Sequence, residues 1–440
     1  MDESASRSVR ASDQGRSYVR PRVVIVGGGF AGVAAAKRLR RAKVDVLLID
    51  RRNHQIFQPL LYQVATAVLA PSDVAAPLRQ LTPTQSNLSV EMAEVTAIDI
   101  EGRTLCVQLP NAGSVDVPFD YLVLSPGVVP NYFGHDAFAK NAPGLKNLSD
   151  AEAVRSKILK AYELAEATDD PTDRLRLTTF VIVGGGPTGV ELAATISHMA
   201  RVTLRRDFRR VDPRQSRIVL LEGGKRILPS FDEGLAGAAH RQLNNLGVTV
   251  RTGAIAETID DKGVTVGGQV LPAATVIWAA GVVASPLAAL VGAQTDRSGR
   301  AVAGPGLETQ SGSGVFVIGD AASVTQNGKP VPGVAQGAIQ QGDYVGRVIA
   351  ARVGGAPAPA PFRYRDKGSM AVVGKDFALL EAPGSRLSGR VAWLIWAFIH
   401  IAFLPQLQNR LRVGMQWLWS YWTGQRSSRL ITEGPSDGQA

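Results

Sequence analysis

Short apolar runs that end in glycine recur along the chain and set its plan. Val23 to Val26 is apolar at every position, the pattern of a strand buried on both faces, and it runs into Gly27, Gly29 and Gly32. An alanine-rich helical stretch follows, and a second apolar run, Val44 to Ile49, ends at Asp50. The same succession returns downstream. Phe180 to Val183 enters Gly184, Gly186 and Gly189, and the run Arg217 to Leu221 ends at Glu222. Three more runs of strand length lead to glycine: Tyr121 to Leu124 before Gly127, Thr275 to Trp278 before Gly281, and Val315 to Ile318 before Gly319-Asp320. This alternation predicts an α/β fold with two Rossmann-like domains, the second inserted in the first. The expected division is a tail at 1–20, a first domain at 21–149 resuming at 295–360, an inserted domain at 150–294, and a C-terminal helical region at 361–440.

Each glycine has a distinct task in a dinucleotide site. Gly27 and Gly184 make a tight turn, Gly29 and Gly186 let backbone approach a pyrophosphate, and Gly32 and Gly189 let helix pack on strand. The helix N-terminus stabilises phosphate charge, and Asp50 and Glu222 stand where an acid accepts from a ribose. One such motif is weak; two copies, each bracketed by strands and closed by an acid, point to two dinucleotides. Glu222 lies well beyond the ~20 residues usual for this spacing. The surplus is the basic stretch Arg201 to Arg214, which reads as an inserted helical extension with a solvated charged face; a membrane- or partner-facing patch is the alternative. Lys225 and Arg226 follow Glu222, so the preference of that acid for a free ribose 2′-hydroxyl is moderate.

The C-terminal pattern differs. Val391 to Leu404 is apolar except for His400, and as a helix it spans ~21 Å, short of the ~30 Å hydrocarbon layer. Pro405 stops it. In the next stretch, Gln408 to Thr423, Leu411, Met415, Leu418 and Trp422 repeat at helical spacing. Five of the six tryptophans lie in this region, flanked by arginines, the pattern of a helix pair lying in a lipid surface; a core or dimer hairpin is the competing reading. His400 reads as a packing residue.

Composition narrows the chemistry. The chain has 440 residues, of which 45% are apolar and 20% charged, so it can build more than one core. Its single cysteine, Cys106, excludes a disulfide framework, a cysteine zinc or iron–sulfur site, and an internal redox thiol pair. No calcium-loop pattern occurs and no metal is expected. Net charge is +10, which permits an anionic membrane surface; without a recognition motif, nucleic acid is not an expected partner. Met1 to Arg20, rich in Ser and Arg, reads as a disordered tail, not a secretory signal.

Taken with Phe57-Gln-Pro-Leu-Leu-Tyr-Gln-Val-Ala-Thr, Gly185-Gly-Pro-Thr-Gly-Val-Glu, Ala335-Gln-Gly-Ala-Ile-Gln and Asp366-Lys-Gly-Ser-Met-Ala, the chain from Arg22 to Trp422 resembles the two-dinucleotide flavoproteins, and among them the type II NADH:quinone oxidoreductases. The resemblance implies non-covalent FAD at the first site, with Gly27, Gly29, Phe30, Ala31, Gly32, Asp50, Gly127, Gly319, Asp320 and Ala335 around it. It implies NADH at the second, with Gly184, Gly186, Pro187, Thr188, Gly189, Glu191, Glu222 and Gly281, and it makes Glu191 the active-site carboxylate. It places a membrane quinone at Gln336 and Gln340, four apart on one helix face. The implied activity is non-electrogenic transfer from NADH through FAD to quinone, by a homodimer on the cytoplasmic face of a membrane. A reductase of a small redox protein, or an NADH-sensing scaffold, would share the nucleotide motifs. Disulfide reductases and sulfide:quinone oxidoreductases need the paired cysteines this chain lacks.

Overall fold

The computed structural model describes residues 20–111, 113–310, 313–426 and 428–431. All of the expected N-terminal tail except Arg20 lies outside them. In chain order, the elements that position the sites begin with β1 (Arg22–Val26), α1 (Phe30–Arg38), β2 (Asp45–Asp50), β3 (Leu88–Met92) and β4 (Tyr121–Leu124). Next come α2 (Leu148–Ala167), β5 (Thr179–Val183), α3 (Pro187–His198), β6 (Arg217–Glu222), β7 (Val248–Thr252) and β8 (Thr275–Trp278). β9 (Val315–Val317) and α4 (Ala335–Gly354) follow. The chain then forms β10 (Ser369–Val372), β11 (Ala378–Ala382), β12 (Ser385–Gly389), α5 (Arg390–Phe403) and α6 (Leu407–Thr423).

These elements sort into two compact units. One gathers 20–55, 76–129 and 283–366; the other gathers 56–75, 130–282 and 367–431. In the first unit a parallel sheet has the order β9-β4-β1-β2-β3, with Val23 opposite Val46 and Tyr121. β1 is buried at all five positions, which is why the sequence shows a solid apolar run there and not an alternating one. In the second unit β7-β6-β5-β8 repeats the arrangement, again parallel, with β5 buried throughout.

α4 lies directly against α1, and glycine makes that possible. A Cβ on Gly342 would stand 2.1 Å from the Ala31 carbonyl oxygen, and one on Gly346 would stand 2.6 Å from Arg38 Cβ. Any side chain at either position would push the helices apart.

Residues 367–431 are an integral part of the second unit. β10-β11-β12 form an antiparallel meander, α5 packs on it, and Ala392, Trp396, Leu404, Asn409 and Val413 are buried. The Asn409 amide donates to the carbonyls of Ser72 (3.3 Å) and Ala75 (3.1 Å). Among the described residues, no helix is long and apolar enough to cross a membrane.

The basic stretch 201–214 is not the helical extension its composition suggests. α3 ends in a single π turn, Met199–Thr203, and the chain then runs irregularly to a short 3₁₀ turn at Pro213–Gln215. The cause is a competing set of acceptors: the Glu166 carboxylate takes the backbone N–H groups of Arg209, Arg210 and Val211. Those donors are therefore not available to a helix, and Pro213 has none.

Candidate functional site

Both units build the same cradle at the carboxyl ends of their sheets. In the first, Gly27 has φ +105°, its N–H donates to the Ile49 carbonyl (2.8 Å), and a Cβ there would stand 2.2 Å from the Ser125 carbonyl oxygen. Only glycine fits. A Cβ on Gly32 would lie 1.9 Å from the Gly27 carbonyl oxygen, so α1 begins in contact with the turn. Gly29 is the opposite case, with nothing within 4 Å of its Cβ position. The Asp50 carboxylate accepts from Gly28 N–H (2.6 Å) and Arg52 N–H (2.8 Å), fixing the turn to the end of β2.

The second cradle matches bond for bond. Gly184 has φ +111° and donates to the Leu221 carbonyl (2.7 Å), and a Cβ on Gly189 would lie 1.9 Å from the Gly184 oxygen. Glu222 accepts from Gly185 N–H (2.7 Å) and Gly224 N–H (2.6 Å). Gly186 again faces open space. The insertion leaves through the gap between α3 and β6, so it adds length without moving the acid from the strand end. Carboxylate oxygens so occupied keep lone pairs for a ribose hydroxyl. The open Cβ side of Gly29 and Gly186, beneath a helix N-terminus, fits a pyrophosphate in each unit.

The remaining expected residues fall around these cradles. Phe30 and Ala31 open α1, and Pro187 and Thr188 open α3, where the missing N–H of proline costs nothing. Gly127, at φ +72°, follows β4 with its Cβ side open, while a Cβ on Gly281 would meet the Phe133 ring at 2.8 Å. Gly319, at φ +74° ahead of Asp320, donates its N–H to the side chain of Gln341 (2.7 Å). Gln341, 3% exposed, is a positioning residue that the sequence reading missed. Its spacing from the buried Ala338, Val345 and Val348 is the available signal, since these mark the inward face of α4.

Ala335 and Gln336 start α4, and Gln336 is half-buried. Gln340 has both ends of its amide engaged: it donates to the Arg365 carbonyl (3.0 Å) and accepts from Arg365 N–H (2.9 Å). It therefore holds the 365–366 segment against α4.

In the second unit, Glu191 stands one turn into α3. Its carboxyl takes a long contact from Val372 N–H (3.4 Å), and desolvation, only partly opposed by that contact, pushes it up to about 8. Nearby, an open pocket of about 640 Å³, mouth included, is walled by Trp393, Trp396, Trp417 and Tyr421. Tyr62, Gln63, His198, Lys375 and Arg426 supply its polar groups. Gln63 donates to Tyr62 Oη (3.0 Å) and accepts from Trp417 Nε1 (2.8 Å). Burial raises the Tyr62 phenol well above its ordinary value.

Arg426, 4% exposed, lines this pocket. It donates to the Thr66 carbonyl (2.7 Å), the Thr195 carbonyl (3.3 Å) and His198 Nδ1 (3.0 Å); its Nε has no partner. Burial lowers Arg426 to about 9 and His198 to about 3, so the imidazole is the neutral acceptor of a charged donor. His400 is a packing residue: its ring lies against Phe57 and Trp396, Nδ1 contacts the Trp396 carbonyl (2.7 Å), and burial lowers it to about 4.

Residues 21–342 match the pyridine nucleotide-disulphide oxidoreductase family. The chain is 40% identical to the type II NADH:quinone oxidoreductase Ndh of Mycobacterium tuberculosis, over 94% of this chain and 91% of that one. It is 32% identical to the demethylphylloquinone reductase NdbB of Synechocystis, over 91% and 96%. Its fold is similar to that of NDH2 from Plasmodium falciparum solved with NADH, at TM-score 0.84 and 19% identity, covering 94% of this chain and all of the other. With two acid-latched nucleotide cradles and homology over nearly its full length, the chain belongs to the type II NADH:quinone oxidoreductases.

Proposed function

We propose that this enzyme works while lying on a membrane surface through α5 and α6, and that the residues assembled above divide its two half-reactions between them. The observation that carries the membrane reading is the outer face of the helix pair. Leu394, Phe398, Leu411, Met415, Leu418, Trp419 and Trp422 are all more than half exposed, reaching 78% at Trp422, while Trp396 and Val413 face the core. So large an apolar face beside interfacial tryptophan fits the headgroup boundary of an anionic membrane. Among the described residues no helix is long and apolar enough to cross the bilayer, so in this reading electron transfer carries no ion across it, and we place the enzyme on the cytoplasmic face, as a homodimer.

FAD, when bound, accepts the hydride of NADH and passes two electrons to quinone. In this reading, Gly29 and the start of α1 hold its pyrophosphate, Asp50 its ribose, and Gly319-Asp320 its ribityl chain. Gly186 and α3 hold the NADH pyrophosphate, and Glu222 favours a free 2′-hydroxyl. Gln336 faces the quinone, and Gln340 acts through the segment it clamps. The aromatic pocket of the second unit, open to solvent, suits an apolar ligand, with Tyr62 and Gln63 as its hydrogen-bonding groups.

Glu191 lies beside the nicotinamide in this assignment. Its carboxyl is neutral below about pH 8 and negative above. A negative charge there stabilises the positive charge that develops on the nicotinamide as hydride leaves. NADH-driven flavin bleaching is thus expected to accelerate roughly ten-fold through pH 8, and Glu191→Gln, an isostere of the neutral acid, to give a flat profile. Matching profiles in the two proteins would remove Glu191 from the nicotinamide.

The direct test is anaerobic. NADH should bleach the flavin absorbance rapidly, and a short-chain quinone added next should restore it. Bleaching without recovery would point to a different acceptor and overturn the quinone assignment.

A further inference from the structure

We infer that the insertion at 201–214 is a recognition surface for anionic phospholipid headgroups. This rests on the membrane-surface reading above and names the element that reads lipid charge. The insertion carries six arginines against two aspartates. Asp207 is paired with Arg429 and Asp212 with Arg214, and the neighbouring Asp169 with Arg210. Glu166 is spent on three backbone N–H groups of the loop. Asp169, Asp207 and Asp212 are thereby held in ion pairs, and the Glu166 carboxylate is turned to the backbone of the loop. Arg205, Arg206 and Arg209 remain, exposed, with guanidinium groups that meet no carboxylate of the described residues.

This surplus of charge is attached to the end of the apolar helix pair. Thr203 Oγ1 donates to the carbonyl of Gly424, the residue that terminates α6 (3.1 Å), and a Cβ on Gly424 would touch Val202. The Arg429–Asp207 ion pair then ties the segment after α6 along the loop. Val202, Leu430 and Ile431, beside or just beyond the end of the α6 face that carries Trp419 and Trp422, are exposed as well. A cationic rim joined to an exposed apolar face is what an anionic bilayer complements, headgroups on the arginines and acyl chains on the tryptophans. A nucleic acid would leave the apolar half uncovered, and a second copy would set arginine against arginine.

The test compares binding of the full-length flavoprotein to vesicles of phosphatidylcholine alone and of phosphatidylcholine with one-third phosphatidylglycerol. The parent should prefer the anionic vesicles, and the preference should vanish in high salt. The triple variant Arg205→Gln, Arg206→Gln, Arg209→Gln should lose about ten- to hundred-fold of its partitioning onto anionic vesicles, bind the neutral ones as before, and keep its detergent-phase NADH:short-chain quinone activity. A variant that keeps the parent's preference overturns the inference and leaves the membrane reading standing. A parent that binds neither vesicle overturns both. An inactive triple variant would be replaced by the single substitutions, each expected to remove a few-fold of the preference.

Discussion

Alanine at Gly189 is expected to stop NADH from reducing the flavin while leaving FAD in place. The added methyl group would sit 1.9 Å from the Gly184 carbonyl oxygen, a backbone atom with no rotamer to escape into. Relief requires α3 and the turn to separate by more than 1 Å, which pulls the helix N-terminus off the pyrophosphate and strains the Gly185–Glu222 latch. A displacement of that size costs on the order of 10²-fold in rate. Overpacking adds about 1–3 kcal/mol of destabilisation, tolerable in a chain of this size. Gly32→Ala is the mirror experiment, with the same 1.9 Å clash against Gly27. Its expected result is loss of FAD. Flavin-to-protein ratio and stopped-flow bleaching separate the two. A Gly189→Ala protein bleached at the parent's rate would mean that NADH does not use this cradle, and flavin loss from it would reverse the cofactor order.

The second large effect is expected at Arg426. Removing this side chain strips the donors from two buried carbonyls and from His198 in one step. Arg426→Ala should cost on the order of 3 kcal/mol, because polar groups left unpaired at depth keep their full desolvation penalty. A fall of several degrees in thermal midpoint follows. Truncation before α5 would do more harm, since Trp396, Asn409 and Arg426 all belong to the second unit's interior. Deleting 391–440 should therefore yield an unfolded second unit, not a soluble enzyme. An unchanged midpoint in Arg426→Ala would show that the tail is not docked. The same locus sets an acid limit. His198 and His400 have folded pKa values near 3 and 4, below the unfolded 6.5, so the unfolded chain binds protons first as pH falls. Stability present above pH 6.5 is lost progressively toward pH 4, measurable as a falling midpoint.

The nucleotide cradles were legible in the sequence because their determinants are local. A buried parallel strand, three glycines and a strand-end acid sit within one supersecondary unit, and each leaves a residue-type signature. Even the displaced Glu222 could be read, since a strand end fixes its place however long the loop before it. Groups that act across long stretches of chain left no such mark. Arg426 caps a carbonyl 360 residues upstream, and Trp417 meets Gln63 across 354. No window of sequence contains both partners. Gln340 and Gln341 show the limit within one helix. Both are glutamines in an Ala/Gln/Gly stretch, and the rotation of α4 alone decides which one clamps Arg365 and which supports Gly319. For the insertion, charge was visible but shape was not, because Glu166 on α2 imposes the loop.

The glycine seam between α1 and α4 has a mechanical consequence. It locks the start of α1 and the helix bearing Gln336 into backbone contact, so the two behave as one machined part with a single datum at Ala31 and Gly342. Tolerance along that part is angular. One residue added between Gln336 and Gly342 would turn the glutamine by about 100° about the helix axis, away from the direction it now faces, although the contacts of Gly342 and Gly346 with α1 survived.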